Sequence, residues 1–162
     1  MSIVAARSCV LRCPYYISFL VSTLVFKSKL KELIERASFA AETNLRRGRT
    51  PYPMAAVVGA NGSKFAFRVE ETQDNDQAVA HIKTLFLQHN VVCYVLTLAA
   101  ASKGKQYVLF SAEHESGTML VGHREIIMQP APHLGPLEII ESNFAERRFV
   151  GLLPRQATAG MQ

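Results

Sequence analysis

Cysteine is scarce in this sequence: Cys9, Cys13 and Cys93 are the only three. An odd, sparse set makes no disulfide framework, which fits a cytoplasmic location. Cys9 and Cys13 stand in a C-x3-C spacing, so on a helix they would share a face. A zinc site needs further ligands, and neither a second pair nor a C-x-x-H follows nearby, so no metal is expected. Cys93 lies in an apolar run and reads as an inert core residue.

Phosphate-binding signatures are also missing. Neither G-x-x-x-x-G-K-S/T nor G-x-G-x-x-G occurs, so no nucleotide cofactor is expected. The G-x-S-x-G elbow of serine hydrolases is absent. No internal repeat and no low-complexity stretch occurs. Tyr15–Phe26 offers twelve residues without a charge, fewer than the roughly 20 apolar residues a spanning helix needs. Arg7 and Arg12 precede this run and Lys27 follows it, a pattern similar to a secretory signal peptide. The small residues of a cleavage site do not follow, because the next residues are Lys27-Ser28-Lys29-Leu30.

What is present describes an ordinary globular chain. Its 162 residues, 49% hydrophobic and 19% charged, are enough to bury a core and too apolar for disorder. The formal net charge is +5, a balance that favours anionic partners such as nucleic acid. The densest basic run is Arg46, Arg47 and Arg49. At a helix end these cations complement the dipole; on a nucleic-acid surface they would meet phosphate.

Three segments follow from the pattern. Residues 1–27 pack on the domain, anchor it peripherally to a membrane through 15–26, or form a loose extension. Residues 28–153 form one domain. Residues 154–162 make a small, polar, flexible tail.

Within the domain, Ser28–Arg47 reads as a helix with Leu30, Leu33, Ile34, Ala37, Ala41 and Leu45 on one stripe. Ser28 caps its start and Gly48 ends it. Met54–Gly59 and Ser63–Glu70 form a hairpin about Asn61-Gly62, with Phe65 and Phe67 alternating against Lys64 and Arg68. Asp74–His89 is a second helix, capped by Asp74 with Gln77 and closed by Asn90. Its apolar face is Ala78, Val79, Ile82, Leu85 and Phe86. Val91–Ala99 is nearly all apolar and reads as a central strand covered on both faces. Gln106–Glu113 and Thr118–Met128 form a second hairpin. Gln129–Pro136 is a loop, and Leu137–Glu141 and Phe149–Leu153 are short strands. The class expected is α+β, a mainly antiparallel sheet with both helices on one face. The strands before and after the second helix remain possible parallel neighbours.

The element order over Leu30–Thr97, with Ala80-His81-Ile82 opening the second helix, resembles the zinc-dependent cytidine deaminase-like fold. That chemistry requires His-x-Glu and P-C-x-x-C. Lys83 stands where the Glu would fall and no P-C-x-x-C occurs, so the resemblance implies no deaminase activity. His81 and His89 are eight apart, two turns along the same helix side, too far to share a metal.

One polar cluster remains. Glu113, His114 and Glu115 flank a turn, and with Ser116-Gly117 as that turn His114 would face Met119 and the two carboxylates would share a sheet face. Paired carboxylates beside a histidine can do acid–base work. The reading these residues support first is a non-catalytic binding or protein-interaction module. Its partner would be another protein or a second copy joined through an edge strand. Nucleic-acid binding through Arg46, Arg47 and Arg49 is one alternative, and an enzyme built on Glu113, His114 and Glu115 is another.

Overall fold

A computed structural model describes residues 14–69, 75–140 and 151–154, with side chains for 22–69, 76–140 and 151–154. Two helices and seven antiparallel strands give the expected α+β class. The strands are β1 (Met54–Gly59), β2 (Lys64–Arg68), β3 (Val91–Ser102), β4 (Lys105–His114), β5 (Met119–Ile127), β6 (His133–Leu134) and β7 (Glu138–Ile139). They order as β2-β1-β3-β4-β5, with β6 and β7 both on the outer side of β5. β1 separates β2 from β3, so these two are not neighbours.

Helix α1 runs from Pro14 to Arg46, and Ser28 lies inside it rather than capping its start. No Gly or Pro interrupts residues 15–47, and Pro14 is itself suited to a first helical position, where its fixed φ fits and its missing N–H costs nothing. The uncharged run 15–26 therefore continues the helix through the expected boundary. Leu30 is the first buried residue of α1 among the described side chains. The far end matches expectation. Gly48 has φ +69°, its N–H reaches the Leu45 carbonyl (2.9 Å), and Arg49 N–H reaches the Asn44 carbonyl (3.0 Å). This paired closure satisfies carbonyls that the helix end leaves open.

Helix α2 spans Asn75–Gln88; the expected cap Asp74 lies outside the described residues. Asn90 takes the left-handed φ of +47° that closes it. The hairpin turn through Asn61-Gly62 is present, with Gly62 at φ +79° and Asn61 Oδ1 accepting the Ser63 N–H. A second tight turn joins β3 to β4. Ser102 pairs with Lys105 across Lys103 and Gly104, both at positive φ, the arrangement that matches strand twist. It makes these strands longer than expected. Gln129–Pro136 contains the two-residue β6, and Gly151–Leu153 is not strand.

The helices lie on opposite faces of the sheet, not on one. Leu30, Ile34, Ala37 and Leu45 of α1 pack with Cys93, Val95, Phe110, Ala112 and Leu120. Ile82 and Phe86 of α2 pack with Ala55, Val57, Tyr94, Leu96, Leu152 and Leu153. The cause is the alternation of β3: Cys93 and Val95 project one way, Tyr94 and Leu96 the other, and all four are apolar enough to need cover. Two apolar faces need two layers, so the expected two-sided burial of Val91–Ala99 holds and same-face placement fails. Phe65 and Phe67 join the α2 side, while Lys64, Ala66 and Arg68 are exposed.

Phe110 is completely buried under α1. Phe110→Ala is expected to destabilise the fold by about 3–5 kcal/mol, measured by urea denaturation.

Candidate functional site

The tip of the β4–β5 hairpin carries the expected cluster, in a register one residue from the one anticipated. Glu113, not His114, pairs with Met119. His114 N–H bonds the Thr118 carbonyl, and the turn holds three residues, Glu115–Gly117. Gly117, at φ +83°, supplies the left-handed position that three-residue hairpin loops use.

Adjacent strand residues point to opposite faces, so Glu113 and His114 diverge. Glu113 lies on the α2 side and is 5% exposed. Its Oε2 accepts the Tyr94 hydroxyl (2.9 Å) and the Leu152 backbone N–H (3.0 Å). Tyr94 is its cross-strand partner on β3. Burial and the adjacent carboxylate push the Tyr94 phenol far above its usual range, so it stays a donor. A buried carboxylate requires such donors, and this pair fastens the C-terminal segment onto the sheet.

His114 lies on the α1 side, stacked on Phe26 with ring centroids 4.1 Å apart. Its Nδ1 accepts the Ser116 N–H (3.1 Å) and lies 2.9 Å from Ser116 Oγ. The backbone donor assigns the neutral ring's proton to Nε2. Burial lowers the His114 pKa, the Glu115 charge opposes that shift, and Lys29 adds to it. Glu115 is exposed in the turn. The three residues border one open hollow of about 510 Å³ with Phe26, Ser116 and Met119. Their functional groups do not converge: the Glu113 carboxylate is bound to Tyr94 and Leu152, and the His114 ring is bound to its own turn. Among the described residues no three His, Cys, Asp or Glu side chains are placed to hold a metal. Cys9 and Cys13 lie outside them.

Arg46, Arg47 and Arg49 are exposed at the α1 end. Arg46 is paired with Glu42 one turn back. His81 is exposed on α2, and His89 packs against the Phe65 ring at 4.8 Å.

A different feature escaped the sequence pattern. α1 covers β3 to β5 and only partly covers the same face of β1 and β2, where Ala56 and Val58 are half-buried against its cluster. A cavity of about 250 Å³ opens there, lined by Val58, Val92 and Cys93 with Lys29, Arg36 and Lys64. A second hollow of about 310 Å³ continues along α1 over Ala37, Ala40, Met54, Ala56 and Ala66. The two share Leu33, Arg36 and Lys64. Arg36 is paired with Glu32 at 2.6 Å, whereas Lys29 and Lys64 have no carboxylate partner among the described residues. Burial pushes the Cys93 thiol up to about 11, against the pull of Lys29, so it is not a thiolate near neutrality. The cleft thus has an apolar floor and a mainly basic rim that also holds His114 and the Arg36-paired Glu32, with no activated nucleophile from Cys93. Only the i, i+3 and i+7 spacing of Lys29, Glu32 and Arg36 hints at it; nothing local places Lys64 opposite.

No family model, curated protein or solved structure matches the chain. Among the described residues, no helix is long and apolar enough to cross a membrane.

Tyr94→Phe removes one donor from buried Glu113 and is expected to cost about 1–3 kcal/mol, read as a lower urea midpoint at unchanged slope. The His114 shift has a definite sign. Its folded pKa is below the unfolded value, so its neutral form contributes stability above the ordinary imidazole range, and this is lost as pH falls through it. Melting temperatures from neutral pH to about pH 5 should therefore fall less for His114→Gln than for the parent.

Proposed function

We propose that this chain is a non-catalytic interaction module that binds an amphipathic helix of a partner protein in the cleft between α1 and the β1–β2 hairpin. The observation that carries the reading is the half-covered sheet face. Its partly covered portion is two strands wide, about 10 Å, which is the diameter of one helix. Apolar Met54, Ala56 and Val58 are only half buried there, so a helix beside α1 would complete the layer that α1 begins. Helix-in-groove recognition uses an apolar stripe for affinity and flanking charges for orientation. Lys29 and Lys64 border the cleft without carboxylate partners among the described residues, which selects an acidic flank.

The alternatives have less support. β2 is the outer strand of the sheet, but it exposes Lys64 and Arg68, charges that discourage pairing with a second copy. A nucleic-acid surface gains from aromatics beside cations; Arg68 stands over the Tyr52 ring at 5.0 Å, but Phe65 and Phe67 face α2, and at the α1 end Arg46 is paired with Glu42. An enzyme at Glu113, His114 and Glu115 would need the Glu113 carboxylate and His114 Nδ1, which are engaged in core and turn bonds, leaving only the exposed Glu115 carboxylate without such a bond among the described residues.

Titration with a fluorescent helical peptide bearing a leucine stripe and glutamate flanks tests the reading. Binding should weaken about tenfold or more with Lys64→Glu and when lysine replaces the peptide's glutamates. Equal binding of both peptides, or no effect of Lys64→Glu, would reject the cleft.

A further inference from the structure

The side of α1 turned away from the cleft carries a separate surface at its base. Leu24, Lys27 and Lys31 recur at helical spacings of three and four, which sets them on one stripe. Lys27 and Lys31 border a hollow of about 440 Å³ whose other walls are Met119, Leu120, Val121, Ile139 and Ile140. Leu24 is 67% exposed, Met119 46% and Ile139 47%. Ile139 and Met119 at the hollow, and Leu24 one turn before Lys27, are therefore exposed large apolar side chains at the same end as the two ammonium groups. Neither lysine has an ion-pair partner among the described residues. From this base the helix continues back to Pro14 through sequence that carries no charge between Tyr15 and Phe26.

We propose that this end of the molecule docks on an anionic lipid surface, with Leu24, Met119 and Ile139 entering the headgroup boundary and Lys27 and Lys31 contacting lipid phosphate or carboxylate. Charge complementarity selects lipid over the other occupants. A second copy applied to the same patch would bring Lys27 and Lys31 against their own counterparts, and like charges in an interface are costly. A bilayer offers what the patch has on both counts, an apolar interior for exposed aliphatic groups and negative headgroups for unpaired ammonium groups. The helix lies at the interface and does not cross it, since no helix among the described residues is long and apolar enough for that. Two attachments are combined here, apolar insertion and a basic contact, and a stable anchor requires more than one.

The test is flotation of the full chain with phosphatidylcholine vesicles and with vesicles containing phosphatidylserine. The expected result is preferential flotation with phosphatidylserine that weakens as salt is raised. Lys27→Glu with Lys31→Glu should reduce it about tenfold or more, and Leu24→Glu should reduce it independently. Both alter exposed positions, and unchanged melting curves show that folding is intact; Leu24→Gln serves where the charge itself perturbs the helix. No flotation, or flotation indifferent to these variants and to phosphatidylserine, overturns the proposal. So does sedimentation velocity showing a dimer that Leu24→Glu dissolves without any lipid binding. The variants face away from the cleft, so failure here leaves peptide binding by that cleft intact, and failure of the cleft leaves flotation intact.

Discussion

The alternation of side chains along β3 is the constraint on which the other layers depend. Cys93 and Val95 are buried toward α1, Tyr94 and Leu96 toward α2. With both faces covered, a slip of one residue would drive the Tyr94 hydroxyl into the aliphatic layer beneath α1 and turn Val95 toward the buried Glu113. The pairing of β3 with β4 then places every group at the hairpin tip. Tyr94 opposite Glu113 gives that carboxylate its donor, and Cys93 opposite His114 sets the imidazole at the wall of the cleft.

The polar links between layers described above differ in kind. On one side Arg124, largely buried, donates to Glu35 of α1 and to the Gly135 carbonyl, and Glu42 accepts the Leu134 N–H. These bonds hold α1 over β5 and β6, which is why it covers β1 and β2 only in part. On the other side the link is Glu113 with Tyr94 and Leu152. A buried ion of this kind contributes little net stability, because its desolvation offsets its bonds, but it fixes which backbone group may lie there. Charge is thus used to set position while the apolar layers supply the driving force.

Features fixed by local chemistry could be read along the chain. Gly48 and Asn90 end helices, Asn61-Gly62 turns a hairpin, Phe65 and Phe67 alternate with cations, and Val91–Ala99 is apolar on both faces; each depends on neighbours within a few residues. The misreadings concern distant or cumulative effects. Ser28 has the chemistry of a cap, yet no Gly or Pro before it breaks the helix, which runs through it from Pro14. The element order suggests both helices on one face, although the composition of β3 already requires cover on two. The register at Glu115–Gly117 turned on a single extra loop residue. The partners of Glu113 lie 19 and 39 residues away in sequence, and Lys64 reaches the cleft from a different element than Lys29 and Arg36. No periodicity in the sequence connects such positions.

The Leu152 bond also has a temporal meaning. Leu152 and Leu153 are core residues of the α2 layer, yet they follow all the described helices and strands in sequence. During synthesis α1, the sheet and α2 all leave the ribosome before the residues that complete the second layer. Until then Glu113 lacks one of its two donors, and the apolar wall of Tyr94 and Leu96 is missing part of its cover. The α1 side of this sheet therefore draws on residues up to Leu137, whereas the α2 side is closed only by Leu152 and Leu153.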